Sequence, residues 1–301
     1  MQPMNLFDQL VLQAMKNKAE LAPLLVVVEK ELLHHDIIRE MSAAGLLDSL
    51  TFIGGTCLRA CYGSNRLSED LEFTGGKNFN RATLSDLASI LVDRLEAKYG
   101  LHVTVGEPKK DTGNVDTWKM SIVTRPEQKS LPSQRINIDI CTLPSHDRRP
   151  MMLRNHYGVE MGTSGLIIQA QSREEILADK LVALALRASR LKNRDLWDIV
   201  WLKQQGVDLP LALIPKKILD RHRSTAEFLD LLNERKSKLQ MDAVLRTDFI
   251  QEMRRFLPAH IVVETIEKEA FWSYLTSVVC AECEQVAQSL GNVSEPPRFK
   301  M

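Results

Sequence analysis

The sequence predicts an α+β fold, in which a mixed sheet flanked by helices is followed by an all-helical C-terminal domain. Two observations lead to this prediction. Between residues 50 and 141, short segments with alternating apolar side chains are interleaved with segments of helical spacing. From residue 172 onward, the apolar spacing is helical throughout, and prolines separate the helical stretches. We therefore expect one domain over residues 1–170, including N-terminal helices, and a second, helical domain over residues 171–301.

The elements of the first half follow in chain order from the same spacing. A helix is predicted over residues 25–44, and Gly45 after it is a usual C-cap residue. A strand over residues 50–53 leads into the Gly-Gly pair that starts at Gly54, where a helix through residue 62 begins. The remaining predicted elements are a strand over 68–73, a helix over 84–99 and strands over 101–105, 117–123 and 135–141.

The helical half begins at a well-marked N-terminus. Ser172 is followed three residues later by Glu175, which is the pattern of a capping box, directly before the apolar run 176–186. Glu174 and Glu175 also add negative charge at the end of the helix where the dipole favours it. The sequence therefore predicts that a helix starts immediately after residue 172.

Composition limits the classes of protein that fit the chain. Lys plus Arg number 39 and Asp plus Glu number 39, so no overall field indicates a nucleic-acid partner, although a local basic groove stays compatible. We see no signal-peptide pattern and no apolar run long enough to cross a membrane. Five cysteines without a disulfide-framework spacing fit a reducing compartment, and we expect a cytoplasmic protein. The lone C-x-x-C pattern of Cys280 and Cys283 is weak evidence for zinc or redox chemistry.

Two acids one residue apart are the most informative feature of the sequence. Because side chains alternate along a strand, Asp70 and Glu72 share one face, while Leu71 and Phe73 face the core. Mg²⁺ takes carboxylate oxygens and keeps positions for phosphates, as phosphoryl-transfer sites require. Asp139, on the polar face of a later strand, is the expected third metal ligand beside Asp70 and Glu72. We hypothesise that the strand that carries Asp70 and Glu72 pairs with the strand over 135–141, which carries Asp139. The alternatives are that the two acids lie on a solvated face, as acid-x-acid strands commonly do, and that Asp139 lies on an exposed edge.

The segment before these acids suits a bound triphosphate. Gly54 and Gly55 precede a helix, so that backbone amides can approach phosphates at the positive end of the helix dipole. Thr56 either adds a hydroxyl group to this site or caps the helix. Arg66 and Ser68 lie near enough to the acids to contact phosphate oxygens or a metal-bound water. A Gly-Gly pair alone is usually a turn, so the prediction depends on the ordered combination of these features.

At these residues the sequence resembles the nucleotidyltransferase superfamily whose catalytic core is similar to that of DNA polymerase beta. Within that superfamily it resembles the AbiEii/AbiGii toxin family, which includes the MenT toxins. The first block of resemblance is Gly54-Gly55-Thr56-x-Leu58-Arg59, then Arg66-x-Ser68-x-Asp70-Leu71-Glu72-Phe73. The second block is Glu174-Glu175-Ile-Leu-Ala-Asp-Lys180-Leu-x-Ala183-Leu, then Arg190-x-Lys192-x-Arg194-Asp195-Leu-Trp-Asp198. Because the blocks lie in different halves, the resemblance spans roughly residues 25–205 and implies a polymerase-beta-like nucleotidyltransferase core.

The resemblance implies further site residues in the helical half. Lys180 is expected to hold the triphosphate, and Asp195 or Asp198 to orient the lysine or to meet the nucleotide. The alternative for this region is a salt-bridged helix surface. The chain departs from the family at Glu72, where Asp is usual, which predicts attenuated activity or an altered metal preference. The third acid is also unreliable in the family, which leaves the role of Asp139 open.

The resemblance also implies an activity and partners. We expect a metal-dependent toxin, using Mg²⁺ or Mn²⁺, in which an acceptor hydroxyl attacks the α-phosphate of a nucleoside triphosphate and pyrophosphate leaves. Some family members extend the 3′ end of transfer RNA and thereby block translation, so we expect a tRNA acceptor, a cognate antitoxin encoded nearby and a role in phage defence. The basic cluster Arg187, Arg190, Lys192 and Arg194 suits either an RNA backbone or solvent. The alternatives are transfer to a protein or small-molecule hydroxyl, and a non-catalytic nucleotide-binding regulator, which Glu72 motivates.

Overall fold

The structure, a computed structural model, describes residues 4–109, 113–128, 132–187 and 190–293. The chain forms two compact units. The first consists of the described residues of Met1–Gln171 together with Phe256–Ala259, and the second of those of Ser172–Arg255 and His260–Met301. Within the described residues, no helix combines the length and the apolar character that crossing a bilayer requires.

One mixed sheet forms the centre of the first unit. Among the described residues its strands are β1 Thr51–Ile53, β2 Leu71–Thr74, β3 Val103–Gly106, β4 Val115–Ile122, β5 Gln134–Cys141, β6 Arg148–Met152 and β7 Ile167–Gln171. Their order across the sheet is β3-β4-β5-β2-β1-β7-β6. The pairs β2–β5 and β1–β7 are parallel, and the other neighbours are antiparallel. The parallel pair β2–β5 is central, so the acids predicted on these two strands lie in the interior of the sheet and not at its edge.

Helices pack against this sheet in the first unit and make up the second. Those of the first unit are α1 Leu6–Asn17, α2 Leu25–Ala43, α3 Gly54–Tyr62 and α4 Leu87–Tyr99. From residue 173 onward they are α5 Arg173–Leu186, α6 Asn193–Gln204, α7 Ile214–Asp220, α8 Thr225–Met241, α9 Ala243–Met253, the one-turn α10 Ala259–Ile261 and α11 Glu269–Val293. Helix α2 is buried on most of its surface, and Leu32, Leu33 and Ile37 have no exposed area. The core of the first unit therefore lies between α2 and the sheet.

The structure confirms the predicted fold class of a mixed sheet with helices, followed by a helical region. It also confirms the predicted helix start, because the Ser172 hydroxyl accepts a hydrogen bond of 3.1 Å from the Glu175 amide. The sequence prediction is wrong at residue 68, since the strand begins only at Leu71 and the residues before it form a loop. Strand β6 was not predicted, because its outer face is exposed and its pattern of two arginines and a proline lacks apolar alternation.

Candidate active site

Three neighbouring strands align the predicted acids on one face of the sheet. Glu72 on β2 is directly opposite Ile53 on β1 and Asp139 on β5. Residues that pair directly across strands project to the same face, so the carboxylates of Glu72 and Asp139 share a side of the sheet. The Thr117 hydroxyl on β4, the next strand, donates to Asp139 Oδ1 at 2.6 Å. The opposite face is apolar, as predicted, because Ile138 and Ile140 are completely buried.

Asp70 lies in the last turn of the loop before β2 and contacts β5 directly. Its Oδ1 accepts a hydrogen bond of 2.9 Å from the amide of Asn137, two residues before Asp139. This contact and the strand register confirm the predicted pairing of the two acidic segments. Burial raises the pKa of Asp70, and the nearby carboxylates of Glu69 and Glu72 act in the same direction against the lowering by Asn137 and Lys30. Negative charge is therefore concentrated at this point of the sheet.

The glycines before α3 lie against the carboxylate of Glu72. Gly54 has a φ of +75°, and a Cβ atom added to it would overlap that carboxylate. The Gly55 amide donates to Glu72 Oε2 at 3.3 Å. An anion is favoured here because the first amides of a helix carry partial positive charge. The sequence predicts that the amides of this segment bind a triphosphate, but in the structure the Gly55 amide donates its hydrogen bond to Glu72.

The other predicted nucleotide-binding side chains make contacts within the loop. The Thr56 hydroxyl is 2.5 Å from the Ser68 hydroxyl and donates to the backbone carbonyl of Asp70. Arg66 is buried, and its guanidinium donates to the carbonyl of Leu67 at 3.0 Å. Thr56 and Ser68 therefore join the start of α3 to the acidic loop. A direct role of Thr56, Arg66 and Ser68 in nucleotide binding stays a prediction.

Sequence reasoning missed a buried carboxylate behind this loop. Glu31 on α2 accepts hydrogen bonds from the Ser68 amide, from Arg59 and from the hydroxyl of Tyr157. The available signal was an acid inside a long apolar helical run, where a charged group must find partners when the helix is buried on all sides. The partners themselves are not predictable from the sequence, because Tyr157 lies 126 residues from Glu31.

In the second unit, the three residues implied by the family resemblance meet in one cluster. Lys180 Nζ on α5 lies 2.6 Å from Asp195 Oδ1 and 2.9 Å from Asp198 Oδ2 on α6. All three side chains are nearly buried, and that of Asp198 has no exposed area. Burial alone raises the pKa of Asp195, but Lys180, Lys192 and Arg187 together hold it well below its ordinary range. The cluster thus places one lysine between two buried aspartates.

Two members of the predicted basic cluster are paired with acids of the second unit. Arg187 lies 2.7 Å from Asp195 Oδ2, and Arg194 lies 3.2 Å from Glu252. Arg190 is exposed. The charges of Arg187 and Arg194 therefore contribute to the internal structure of this unit, and the alternative of a salt-bridged helix surface applies to them.

The donor set of the first unit fits a hard divalent cation. Asp70 and Glu72 offer carboxylate oxygens, and Mg²⁺ is usually held by one or two carboxylates together with substrate phosphates. Burial is the main cause of the raised pKa of Asp70, and the carboxylates of Glu69 and Glu72, whose charge a cation would offset, contribute less. In the part of the chain that the structure describes, no three His, Cys, Asp or Glu side chains come together as a group able to hold a metal. Asp70 and Glu72 are a pair of carboxylates of the kind that leaves coordination positions for phosphate oxygens.

These features define a class of enzyme. Acids on adjacent central strands, beside glycines at a helix N-terminus, suit phosphoryl transfer, and the protein is a nucleotidyltransferase. The family is shown by sequence: the model described as "Nucleotidyl transferase AbiEii toxin, Type IV TA system" matches residues 36–277, and the chain belongs to this family. The match covers both sequence blocks that carry the resemblance.

Two solved structures match most of the chain. JHP933 from Helicobacter pylori has 19% sequence identity, and the match covers 89% of this chain and 99% of that one, with a TM-score of 0.46. A second H. pylori protein, described as a candidate nucleotidyltransferase, has 16% identity over 89% of this chain and 99% of that one, with a TM-score of 0.41. No curated protein matches the chain.

Proposed function

We propose that the chain transfers a nucleoside monophosphate from a nucleoside triphosphate to the 3′-terminal hydroxyl of a transfer RNA. The observation that carries this proposal is the placement of Glu72 opposite Asp139, with Asp70 bonded to the same strand through Asn137. The carboxylates of Glu72 and Asp139 share one face of two central strands, and Asp70 lies directly before β2, so that a phosphate chain and an attacking hydroxyl can be aligned beside them.

The proposed reaction is a single displacement at the α-phosphorus. The acceptor oxygen forms a bond to this phosphorus, the bond to the bridging oxygen of the β-phosphate breaks, and pyrophosphate leaves with both electrons of that bond. The hydroxyl proton passes to a base, a role that we assign to Asp139 because it lies directly beside Glu72 on the neighbouring strand. The remaining catalysis is alignment of the reacting groups and neutralisation of charge.

Asp70 and Glu72 are the proposed ligands of a divalent cation, Mg²⁺ or Mn²⁺. When bound, such an ion would offset the negative charge of the triphosphate. The first turn of α3 is proposed to approach the phosphates through the amide of Gly54 and its neighbours, as backbone amides at a helix N-terminus can do. A role of Lys180, Asp195 and Asp198 in holding the triphosphate remains a prediction of the family resemblance.

The choice of acceptor and partner is supported by the family. Its description names a toxin of type IV toxin–antitoxin systems, so an antitoxin partner is implied. A toxin that transfers nucleotides arrests growth when the acceptor is essential to translation, and a tRNA 3′ end is such an acceptor. We propose that the cognate antitoxin is encoded nearby and that growth arrest serves defence against phage.

The test is incubation with Mg²⁺, total tRNA and each α-³²P-labelled triphosphate in turn. Label in tRNA is expected with the wild type and not with Asp70→Ala. Asp116→Asn is the matched control, because Asp116 neighbours Thr117 on β4 but faces the other side of the sheet and pairs with Arg81. Label in protein or in a small molecule, and not in tRNA, would overturn the acceptor. Equal labelling by Asp70→Ala would overturn the assigned site.

A further inference from the structure

Glu31 is the central acceptor of a hydrogen-bond network in the first unit. Its carboxylate accepts from the Ser68 amide at 2.8 Å, from Arg59 Nε at 3.0 Å and from the Tyr157 hydroxyl. These donors come from the loop before β2, from α3 and from the segment after β6. Glu31 is only 4% exposed, and burial alone raises its pKa, but Arg59, Tyr157 and Ser68 together bring it below its ordinary value. The carboxylate is therefore ionised and fully engaged.

The network fixes both ends of the loop that precedes Asp70. At the C-terminal end of this loop, Glu31 accepts a hydrogen bond from the amide of Ser68. At its N-terminal end, Arg59, which is bound to Glu31, donates through Nη1 to the Ser64 carbonyl at 2.9 Å. Residues 64–68 are thus held by one carboxylate and its guanidinium partner, although they belong to no strand.

Two further residues of α2 continue the contact toward Asp70. Lys30 Nζ lies 3.1 Å from Glu69 Oε1, and His34 Nε2 donates to the Glu69 carbonyl at 3.1 Å. Sheet pairing starts only at Leu71, so it does not fix the backbone of Ser68 and Glu69. Helix α2 therefore fixes the two residues before Asp70, while Thr56 on α3 and the Asn137 amide on β5 bind Asp70 itself.

The Glu31 cluster has no room for a ligand of its own. The cavity beside it, lined also by His35, Arg59 and His156, has a volume of about 20 Å³. That volume corresponds to roughly one water molecule. The charge of Glu31 is consequently used to position neighbouring groups.

We propose that Glu31 is a positioning residue. By holding the loop before Asp70, Glu31 keeps the Asp70 carboxylate in the geometry that binds a divalent cation. This inference rests on the proposed function, because it assigns cation binding to Asp70. Groups that orient a metal ligand without touching the ion change metal affinity by roughly 10- to 100-fold when they are lost. Replacing Glu31 by Gln keeps the shape of the side chain but removes the charge that Arg59 and Ser68 bind.

The experiment is a titration with Mn²⁺ followed by the electron paramagnetic resonance signal of the free ion. We expect the dissociation constant for Mn²⁺ to rise by about tenfold in Glu31→Gln and binding to be lost in Asp70→Ala. Asp36→Asn is the matched control. Asp36 lies on the same helix, is equally buried and is bonded to Lys98 and Tyr99, but it does not contact the acidic loop.

Hydrogen exchange gives a second readout that needs no metal. Peptides that cover residues 64–70 are expected to exchange faster in Glu31→Gln, because Gln offers one neutral acceptor oxygen where the carboxylate offered two charged ones to Ser68, Arg59 and Tyr157. Asp36→Asn is expected to leave the exchange of these peptides unchanged. Tyr157→Phe removes one donor and leaves the carboxylate in place, so it keeps the test open if Glu31→Gln does not fold. We expect it to raise the dissociation constant for Mn²⁺ by roughly threefold.

Unchanged Mn²⁺ affinity in both Glu31→Gln and Tyr157→Phe would overturn the inference, as would an equal loss of affinity in Asp36→Asn. Failure of the proposed function gives a different result. In that case the wild type binds Mn²⁺, and Glu31→Gln weakens this binding, but no label passes from any triphosphate to tRNA.

Discussion

Gly54 and Glu72 are complementary in shape, because the carboxylate of Glu72 fills the space that a side chain at Gly54 would need. Gly54 is next to the antiparallel pair β1–β2, because Ile53, the residue before it, is directly opposite Glu72. The absence of a Cβ atom at Gly54 therefore serves two purposes. It permits a φ of +75°, and it lets an acid approach the N-terminus of α3.

Gly54→Ala is accordingly expected to reduce nucleotidyl transfer by more than tenfold, because the new methyl group displaces the carboxylate of Glu72. Gly76→Ala is the control. Gly76 has a φ of +73° but no atom within 4 Å of the added Cβ, so it carries the same backbone strain of about 1 kcal/mol without the collision. Pyrophosphate release measures both variants. If Gly54→Ala and Gly76→Ala release pyrophosphate at the same rate, the loss of activity is not caused by displacement of the Glu72 carboxylate.

The Lys180 cluster predicts that substitutions of Lys180 and Asp198 have strongly non-additive effects on the free energy of unfolding. Lys180→Met leaves Asp198 buried without its cation and is expected to lower the free energy of unfolding by about 3–5 kcal/mol. The double variant Lys180→Met/Asp198→Leu removes both charges and should recover much of that loss. Urea unfolding gives the coupling. As a control, Arg223→Met breaks an exposed pair with Glu227 and should cost less than about 1 kcal/mol.

A buried and a partly buried histidine predict that acid destabilises the first unit. Burial lowers the pKa of His34 and of His156 from 6.5 to about 4. Between these values the unfolded chain binds more protons than the folded one, so stability is present above pH 6.5 and is lost as the pH falls toward 4. The double variant His34→Gln/His156→Gln should reduce the loss between pH 7 and pH 5 by about 4 kcal/mol, because each histidine contributes about 2 kcal/mol. Urea unfolding at both pH values measures this.

The control for this experiment is a variant of His102, a histidine whose side chain is 71% exposed. His102→Gln should leave the pH dependence of unfolding as it is in the wild type. A pH dependence that is the same in the double variant as in the wild type would contradict the assignment to His34 and His156.

The hydroxyl of Thr56 predicts a graded effect on activity. Thr56→Val keeps the shape of the side chain but loses the contacts with Ser68 and with the carbonyl of Asp70. A lost hydrogen bond of about 0.5–1.5 kcal/mol corresponds to a roughly three- to tenfold lower kcat. Thr56→Ser keeps the hydroxyl and should retain most of the wild-type kcat. If the Thr56→Val and Thr56→Ser variants have the same kcat, the hydroxyl group of residue 56 has no part in positioning Asp70.

The features that the sequence predicted correctly depend on local pattern. Alternation placed Ile138 and Ile140 in the core and Asp139 on the polar face, and it led to the pairing of this strand with the acidic segment. The helix that starts at Gly54 was predicted because a short strand is followed directly by two glycines, which are the first residues of the helix. The functional roles of these residues remain predictions.

The features that were missed depend on contacts between distant parts of the chain. The alternation of residues 68–73 predicted a strand throughout, but Ser68 is bonded to Glu31 and Thr56 in place of a neighbouring strand. The identity of those partners is set by the packing of α2 against the loop. Local spacing carries no information about such packing, so neither the shortened strand nor the role of Glu31 follows from it.

The first unit contains four residues from far along the chain, Phe256–Ala259. The Phe256 carbonyl accepts a hydrogen bond of 2.9 Å from the Leu67 amide, and Phe256 and Leu257 are almost completely buried. On the ribosome, Leu67 emerges long before its acceptor has been translated. The acidic loop therefore cannot reach its final structure until most of the second unit has been synthesised, so an unfinished chain of this toxin is an incomplete enzyme.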